Sequence, residues 1–150
     1  MKHAHETQEH VSMKLTYFHA LTNSGFMVKA EEVGADLVAF KPGLQGICAL
    51  EMERSVRNAI KNILRDLKSG ASHVVTITDS QTTRDQIIRK AARHLPHAIQ
   101  SRVSVICMLD PEAIDIAQTV TKALCYAAED SEFQKFIERN PHWGGDIRGL

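Results

Sequence analysis

Asp36, Glu51 and Glu53 are the residues of this 150-residue sequence whose types and spacing are best suited to chemistry. They lie in two apolar segments joined by a turn that contains proline and glycine. If these segments pair as an antiparallel hairpin with Phe40 opposite Ile47, Asp36 falls opposite Glu51. Directly opposed residues share one face of a sheet, with Cβ atoms roughly 5 Å apart, and the two-residue period of a strand adds Glu53 to that face.

Three carboxylates at one end of a hairpin would repel one another. A divalent cation turns that repulsion into binding, and carboxylate oxygens are hard ligands that suit Mg²⁺ or Mn²⁺. The spacing therefore predicts a cation site at Asp36 and Glu51. A second interpretation stays open, in which Glu51 and Glu53 are surface carboxylates of a half-exposed strand and Asp36 caps a local turn.

The elements that must position these carboxylates follow from hydrophobic periodicity and from turn residues. Helices are predicted over residues 7–22, 55–68, 83–94, 111–128 and 131–139. Strands are predicted over residues 26–31, 35–40, 47–53, 73–78 and 102–109. Ser55 is the expected N-cap of the second helix, because a serine side chain can accept a hydrogen bond from the first turn.

Apolar residues at helical spacing predict the buried stripe of each of the first three helices. In the first helix these residues are Val11, Leu15, Phe18 and Leu21. In the second helix they are Val56, Ile60, Ile63, Leu64 and Leu67. In the third they are Ile87, Ile88, Ala91 and Leu95.

The predicted order of elements is one helix, three strands, and then helices and strands in alternation. A three-strand meander followed by a strand–helix–strand unit implies an α/β fold with a mixed β-sheet flanked by helices. At 150 residues the chain is long enough for one domain with a substantial core. We expect a single domain, with its core over about residues 7–109 and C-terminal helices over residues 110–140.

Composition limits the classes of function. The formal net charge is zero, so any attraction to nucleic acid must be local. No apolar run approaches ~18 residues, so no membrane span is expected. The polar N-terminus, which contains His3, His5 and His10, is expected to be a frayed end rather than a metal site.

Cys48, Cys107 and Cys125 are widely spaced, odd in number and embedded in apolar runs. This pattern favours reduced core thiols over disulfides or a zinc site, and it is typical of a cytoplasmic protein.

This order, with acids at these places, resembles the PD-(D/E)XK nuclease superfamily, which has the restriction-endonuclease-like fold. The core of that family is αβββαβ, with an Asp at the start of the second strand and a (D/E)-X-K motif on the third. The matching residues are Asp36 in GADLVAF and Glu51-Met52-Glu53 in ICALEMER. The amphipathic helix and the HVVTIT strand that follow also match, so the resemblance covers about residues 7–78 and, more loosely, extends to residue 109.

The resemblance implies a hydrolase that cleaves phosphodiester bonds with Mg²⁺ or Mn²⁺. Asp36 and Glu51 would hold the metal, which activates water and neutralises charge on the phosphate. Glu53 stands at the usual lysine position and would act as a general base or as a further ligand. Lys61, on the next helix, is a candidate for a lysine that has moved. Many members of the family add an acid from the first helix, for which Glu9 and Glu6 are candidates.

A stripe of basic residues follows the hairpin and would contact DNA phosphates beside the site. Its members fall three or four residues apart and are Arg54, Arg57, Lys61, Arg65 and Lys68. The alternative interpretation is a solvated helix face. The resemblance also implies a homodimer, because family nucleases often dimerise to cut two strands. The rival functions are a catalytically degenerate DNA- or protein-binding module of a mobile element, and a dimerisation module built on the last two helices.

Overall fold

A five-stranded mixed β-sheet organises the computed structural model, which describes residues 7–31 and 34–141. The strands are β1 Met27–Ala30, β2 Leu37–Phe40, β3 Cys48–Glu53, β4 His73–Thr78 and β5 Val103–Cys107. They lie side by side in the order β1-β2-β3-β4-β5. The first three strands are antiparallel, and β3, β4 and β5 are parallel. The predicted α/β class with a mixed sheet is therefore confirmed.

Seven helical segments of the described residues flank this sheet. They are α1 Gln8–Asn23, α2 Ala59–Lys68, α3 Gln81–His94, α4 His97–Gln100, α5 Pro111–Ile114, α6 Ile116–Glu129 and α7 Glu132–Arg139. The order up to β4 is αβββαβ, as expected.

The register of the β2–β3 hairpin is the one that the sequence predicts. Leu37 pairs with Leu50, and Ala39 pairs with Cys48. Continued by one residue past Leu37, the same register places Asp36 opposite Glu51. Both carboxylates therefore stand at the open end of the hairpin, away from its turn.

The two faces of the sheet are covered by different helices. On the face of α1 and α6, the core contains Leu37, Ala39, Leu50, Met52, Val75, Ile77 and Ile106. On the face of α2 and α3, it contains Val38, Ala49 and Val74. Because side chains alternate along a strand, Asp36, Glu51 and Glu53 belong to the α2 face. The three carboxylates thus lie at the end of the hairpin where β3 terminates, on the sheet face that α2 covers.

The buried stripe of α1 differs from the predicted one. Met13, Tyr17 and Leu21 are buried, whereas Leu15 is 52% exposed. Apolar residues occupy several faces of this helix, so periodicity alone does not select the face that packs. Contact with the sheet and with α6 selects it.

Helix α2 begins four residues later than predicted, and Ser55 is not its N-cap. The Ala59 amide donates to the carbonyl of Val56, only three residues earlier, in a turn. Regular helical bonding begins with the Asn62 amide and the carbonyl of Asn58. The chain between β3 and α2 therefore forms turns along the edge of the site.

The C-terminal half also departs from the prediction in its helices. The long helix predicted from residue 111 is divided at Asp115, whose backbone leaves the helical region (φ −106°, ψ 64°). The Asp115 side chain accepts a hydrogen bond from the Gln118 amide at 3.3 Å and so caps α6. A short helix, α4, follows Pro96 where only a helix end was expected. Ile88, predicted to be buried on α3, is 44% exposed.

Of the three thiols, Cys48 and Cys107 are buried as expected, but Cys125 is exposed. Burial raises the pKa of the Cys48 thiol to about 12, so this thiol is unreactive at neutral pH. Within residues 7–31 and 34–141, none of the helices combines the length and the apolar character needed to cross a bilayer.

Candidate active site

The three predicted carboxylates line one cleft of about 410 Å³. The cleft lies between the start of α1, the open end of the β2–β3 hairpin and the first turns of α2. Asp36 and Glu51 are each 1% exposed, and Glu53 is 9% exposed. Burial of this kind is rare for carboxylates unless they are paired. The partners of these three side chains therefore decide what the cleft can do.

Asp36 is held at both of its oxygens. Its Oδ2 accepts a hydrogen bond from the Met52 amide at 2.9 Å. Its Oδ1 lies 3.1 Å from Nε2 of His10, on α1. Asp36 thereby ties α1 to the end of the hairpin.

Glu51 forms an ion pair with Arg65 of α2, whose Nη2 lies 2.7 Å from Oε2. The same guanidinium contacts Oδ1 of Asp66 at 3.2 Å, and Asp66 is fully buried. Gly34 lies against this guanidinium. A Cβ at Gly34 would come within 3.0 Å of Nε of Arg65, and its φ of +87° also favours glycine. The position of Arg65 therefore depends on a glycine at residue 34.

Glu53 is bound through Asn62. The amide nitrogen of Asn62 donates to Oε1 of Glu53 at 2.5 Å. The amide oxygen of Asn62 accepts from Nη1 of Arg65 at 3.1 Å. Asn62 and Arg65 thus join Glu53 to Glu51 in one hydrogen-bonded chain along α2.

Arg54 follows Glu53 directly and closes the side of the cleft next to α1. Its guanidinium donates to Oγ1 of Thr7 at 3.1 Å. It also lies 3.5 Å from Oδ2 of Asp79 and 3.6 Å from Oε2 of Glu9. The Arg54 side chain is 44% exposed, so these contacts leave part of its charge facing solvent.

The other predicted site residues take different positions. Glu9 pairs with Arg54 and lines a neighbouring cleft, and Glu6 lies outside the described residues. Lys61 is exposed on α2, and its neighbour Asn62 enters the cleft instead. Arg57 is exposed in the turn before α2.

Two contributors, His10 and Asn62, were not found from the sequence. His10 was assigned to a frayed N-terminus, but Thr7 caps α1 by accepting a hydrogen bond from the His10 amide at 3.1 Å, so the helix is already formed there. His3 and His5 lie outside the described residues. The spacing of Asn58 and Asn62 could have indicated this role, because the two residues lie one helical turn apart at the border of the apolar stripe of α2.

The donor set suits a hard divalent cation. The cleft lining carries three carboxylates together with Arg54, and Arg65 of α2 pairs with Glu51 at 2.7 Å. Within the described part of the chain, no group of three or more His, Cys, Asp or Glu side chains is arranged to hold a metal ion. Mg²⁺ usually binds through one or two carboxylates and completes its shell with water and phosphate. The pair Asp36 and Glu51 meets that requirement.

A larger cleft, of about 650 Å³, lies along β5 and α6. The imidazole of His73 and the hydroxyl of Ser104, which are 2.8 Å apart, contribute to its lining. Burial, and then the charge of Arg102, lower the pKa of His73 to about 4. The lining of this cleft also includes Glu112, Asp115 and Lys122, but none of the three predicted carboxylates, so the candidate site is assigned by chemistry rather than by cleft size.

No protein-family model, curated protein or solved structure matches this chain.

Proposed function

We propose that this protein is a metal-dependent nuclease that hydrolyses phosphodiester bonds of DNA. The observation that carries the proposal is the pairing of Asp36 with Glu51 across the β2–β3 hairpin. Both residues are 1% exposed at the wall of a cleft, and Glu53 lines the same cleft. The resemblance to the PD-(D/E)XK superfamily supports the same function, because the order αβββαβ and the positions of Asp36 and Glu51 agree with it, whereas Glu53 stands where the motif usually has lysine.

Asp36 and Glu51 would hold the cation. When bound, a divalent cation lowers the pKa of a coordinated water and neutralises charge on the phosphate. The Met52 amide fixes one oxygen of Asp36 and thereby orients its carboxylate. Both carboxylates are already desolvated and oriented, so cation binding would require that Arg65 shares or releases Glu51 and that His10 shares or releases Asp36.

Glu53 would accept the proton of the attacking water. Asn62 donates to one of its oxygens, which fixes the rotamer of the carboxylate. Arg54, at the side of the same cleft, would bind a phosphate oxygen of the substrate. Glu53 thus takes the position in the motif that a lysine usually occupies.

Binding of the DNA backbone would use Arg57 and Lys61, which are exposed beside the cleft. Since the net charge of the chain is zero, such contacts must come from a local cluster of this kind. We further propose a cytoplasmic location. A homodimer would bring together two such sites, which could cut two strands.

The ion pair of Arg65 with Glu51 favours a second candidate function. A guanidinium at 2.7 Å supplies Glu51 with the positive charge that a metal would otherwise provide. In that case the fold would be a DNA- or protein-binding module with a degenerate site. The two candidates differ in whether DNA is cut.

Cleavage of plasmid, single-stranded and branched DNA should be measured with Mg²⁺ and Mn²⁺, each with and without a chelator. The nuclease proposal expects chelator-sensitive cleavage that is lost in Glu51→Gln and kept in Glu138→Gln, a surface control on α7. Absence of cleavage on all substrates would support the second candidate function, a DNA- or protein-binding module with a degenerate site. Cleavage that resists the chelator, or that survives Glu51→Gln at full rate, would indicate a contaminant and overturn the assignment.

A further inference from the structure

A cleft of about 370 Å³, called here the second cleft, adjoins the one lined by Asp36, Glu51 and Glu53, which is called the carboxylate cleft. It lies between α1 and the ends of β4 and β5. Arg54 lines both clefts, so its guanidinium forms the boundary between them. A ligand that spans both clefts would place a group beside Arg54, where the guanidinium favours an anion.

The lining of the second cleft differs from that of the first. Met13, Tyr17 and Met108 provide an apolar floor, and Met13 and Tyr17 are 7% and 5% exposed. Ser12 and Thr16 stand at its rim with exposed hydroxyl-bearing side chains. The two clefts together thus suit a molecule with a flat apolar part, hydrogen-bonding edges and an adjoining phosphate.

We propose that the second cleft binds a nucleobase next to the phosphate held at Arg54, so that the substrate is single-stranded DNA. This proposal rests on the proposed nuclease function, since it takes the neighbouring cleft as the site of the scissile phosphate. A nucleotide has the required parts in the required order, with a base that has an apolar face and a polar edge, joined through its sugar to an anion. In a duplex each base is stacked and paired and cannot enter a cleft unless it is extruded. Single strands expose their bases to apolar and aromatic side chains.

The charges around the second cleft are consistent with this occupant. Asp79 and Glu9 both line the cleft, and they lie 3.5 Å and 3.6 Å from the guanidinium of Arg54. A carboxylate accepts hydrogen bonds from amino groups on base edges, whereas it repels phosphate. The base is therefore directed toward Asp79, and the phosphate toward the side of Arg54 that faces the carboxylate cleft.

A matched pair of substitutions on α1 tests the proposal. Thr16→Trp fills the second cleft, and the hydroxyl that it removes bonds only within the helix, to the carbonyl of Ser12. Leu15→Trp adds the same ring at the preceding residue, which is 52% exposed and does not line the cleft. Affinity should be measured by fluorescence anisotropy in EDTA, where no metal-dependent cleavage competes. The probes are a labelled single strand of mixed sequence, the same strand annealed to its complement, and a strand whose nucleotides are abasic.

The wild type should bind the single strand more tightly than the duplex. Thr16→Trp should weaken single-strand binding by roughly tenfold to a hundredfold, the range expected when the stacking of one base is lost. Leu15→Trp should bind as the wild type does. The abasic strand should bind the wild type about as weakly as the normal strand binds Thr16→Trp. If Thr16→Trp fails to fold, Ser12→Trp fills the same cleft from one turn earlier.

Each result separates this proposal from the nuclease assignment. If the wild type cuts no DNA but Thr16→Trp weakens binding of the single strand, the proposal of a nucleobase in the second cleft stands and the nuclease proposal is wrong. If the wild type cuts DNA but Thr16→Trp and Leu15→Trp bind the single strand with equal affinity, the nuclease proposal stands and the proposal of a nucleobase in the second cleft is wrong. Equal binding of duplex and single strand, or no binding of any strand, overturns the base cleft. If Thr16→Trp leaves binding intact but abolishes self-association in sedimentation, the cleft instead holds a second copy of the chain.

Discussion

The guanidinium of Arg65 lies 2.7 Å from the carboxylate of Glu51, although the two residues belong to different elements. Arg65 also contacts Asp66, so one guanidinium pairs with two buried carboxylates. Any divalent cation that binds Glu51 must compete with this guanidinium or share the carboxylate with it. Arg65 therefore both stabilises the protein without metal and limits the affinity of the metal site.

Replacing Arg65 by Met should lower the free energy of unfolding without metal by about 1–3 kcal/mol, because Glu51 and Asp66 lose a charged hydrogen-bond donor. Saturating Mn²⁺ should then raise the melting temperature more in Arg65→Met than in the wild type, since the cation no longer competes for Glu51. Thermal unfolding with and without Mn²⁺ measures both effects. Arg89→Met, an exposed position on α3, is the control. An equal Mn²⁺ stabilisation in the variant and the wild type would contradict the competition.

Replacing Asp36 by Asn should abolish divalent-cation binding and leave the melting temperature without metal equal or higher. The asparagine oxygen can still accept from the Met52 amide, while the charge opposite Glu51 is gone. Calorimetric titration with Mn²⁺ and thermal unfolding measure the two effects. Asp85→Asn, whose native side chain is 49% exposed, should change neither result. Unfolding of Asp36→Asn would show instead that this carboxylate is structural.

Glu53→Gln should reduce metal-dependent cleavage by ~10²- to 10⁴-fold, which is the usual contribution of a general base. Glutamine keeps an oxygen that can accept from Asn62, but it cannot take a proton from water. Cleavage of single-stranded and plasmid DNA at saturating Mg²⁺ or Mn²⁺ gives the rate, and DNA affinity should change little. A variant that cuts at the wild-type rate would remove Glu53 from the mechanism.

Arg57→Ala and Lys61→Ala should each weaken DNA binding by a similar factor for every DNA sequence. Each should also flatten the dependence of affinity on salt by roughly one unit of slope, because one phosphate contact is lost. Anisotropy titrations over a range of NaCl concentrations measure that slope. If both slopes equal that of the wild type, the two side chains form an ordinary solvated surface.

The buried His73 should make the protein less stable in mild acid. Its pKa is lowered to about 4, from an ordinary value of 6.5, first by burial and then by the charge of Arg102. Between those values the unfolded chain binds a proton that the folded protein does not. The contribution to stability is therefore complete above pH 6.5 and falls as the pH decreases toward 4. From about pH 7 to about pH 5 the expected loss is roughly 2 kcal/mol.

Urea unfolding at several pH values tests this contribution. His73→Gln should have a shallower loss of stability in acid than the wild type. His94→Gln, at an exposed position on α3, should follow the wild-type curve. Parallel curves for all three proteins would show that His73 does not set the acid sensitivity.

The order of elements up to β4 and the register that pairs Asp36 with Glu51 could be predicted before the fold was known. Both depend on local patterns. A strand has a period of two residues, and one turn sets the register of the hairpin that it closes. The observed pair of Leu37 with Leu50 belongs to the register predicted from Phe40 and Ile47. Four members of the predicted α2 stripe, Ile60, Ile63, Leu64 and Leu67, are buried, because the other faces of the helix are polar; the fifth, Val56, precedes the helix and is only partly buried.

The tertiary structure alone decided which side chains complete the site. His10 is 26 residues from Asp36, and no local period relates them. Arg65 is one of several basic residues on α2, and the packing of the neighbouring Ile63 and Leu64 against the sheet is what turns it toward Glu51. The face that α1 buries was also decided by its neighbours, since apolar residues occur on several of its faces. Partners of buried charges are chosen by distance in the folded protein, and spacing along the chain does not encode that distance.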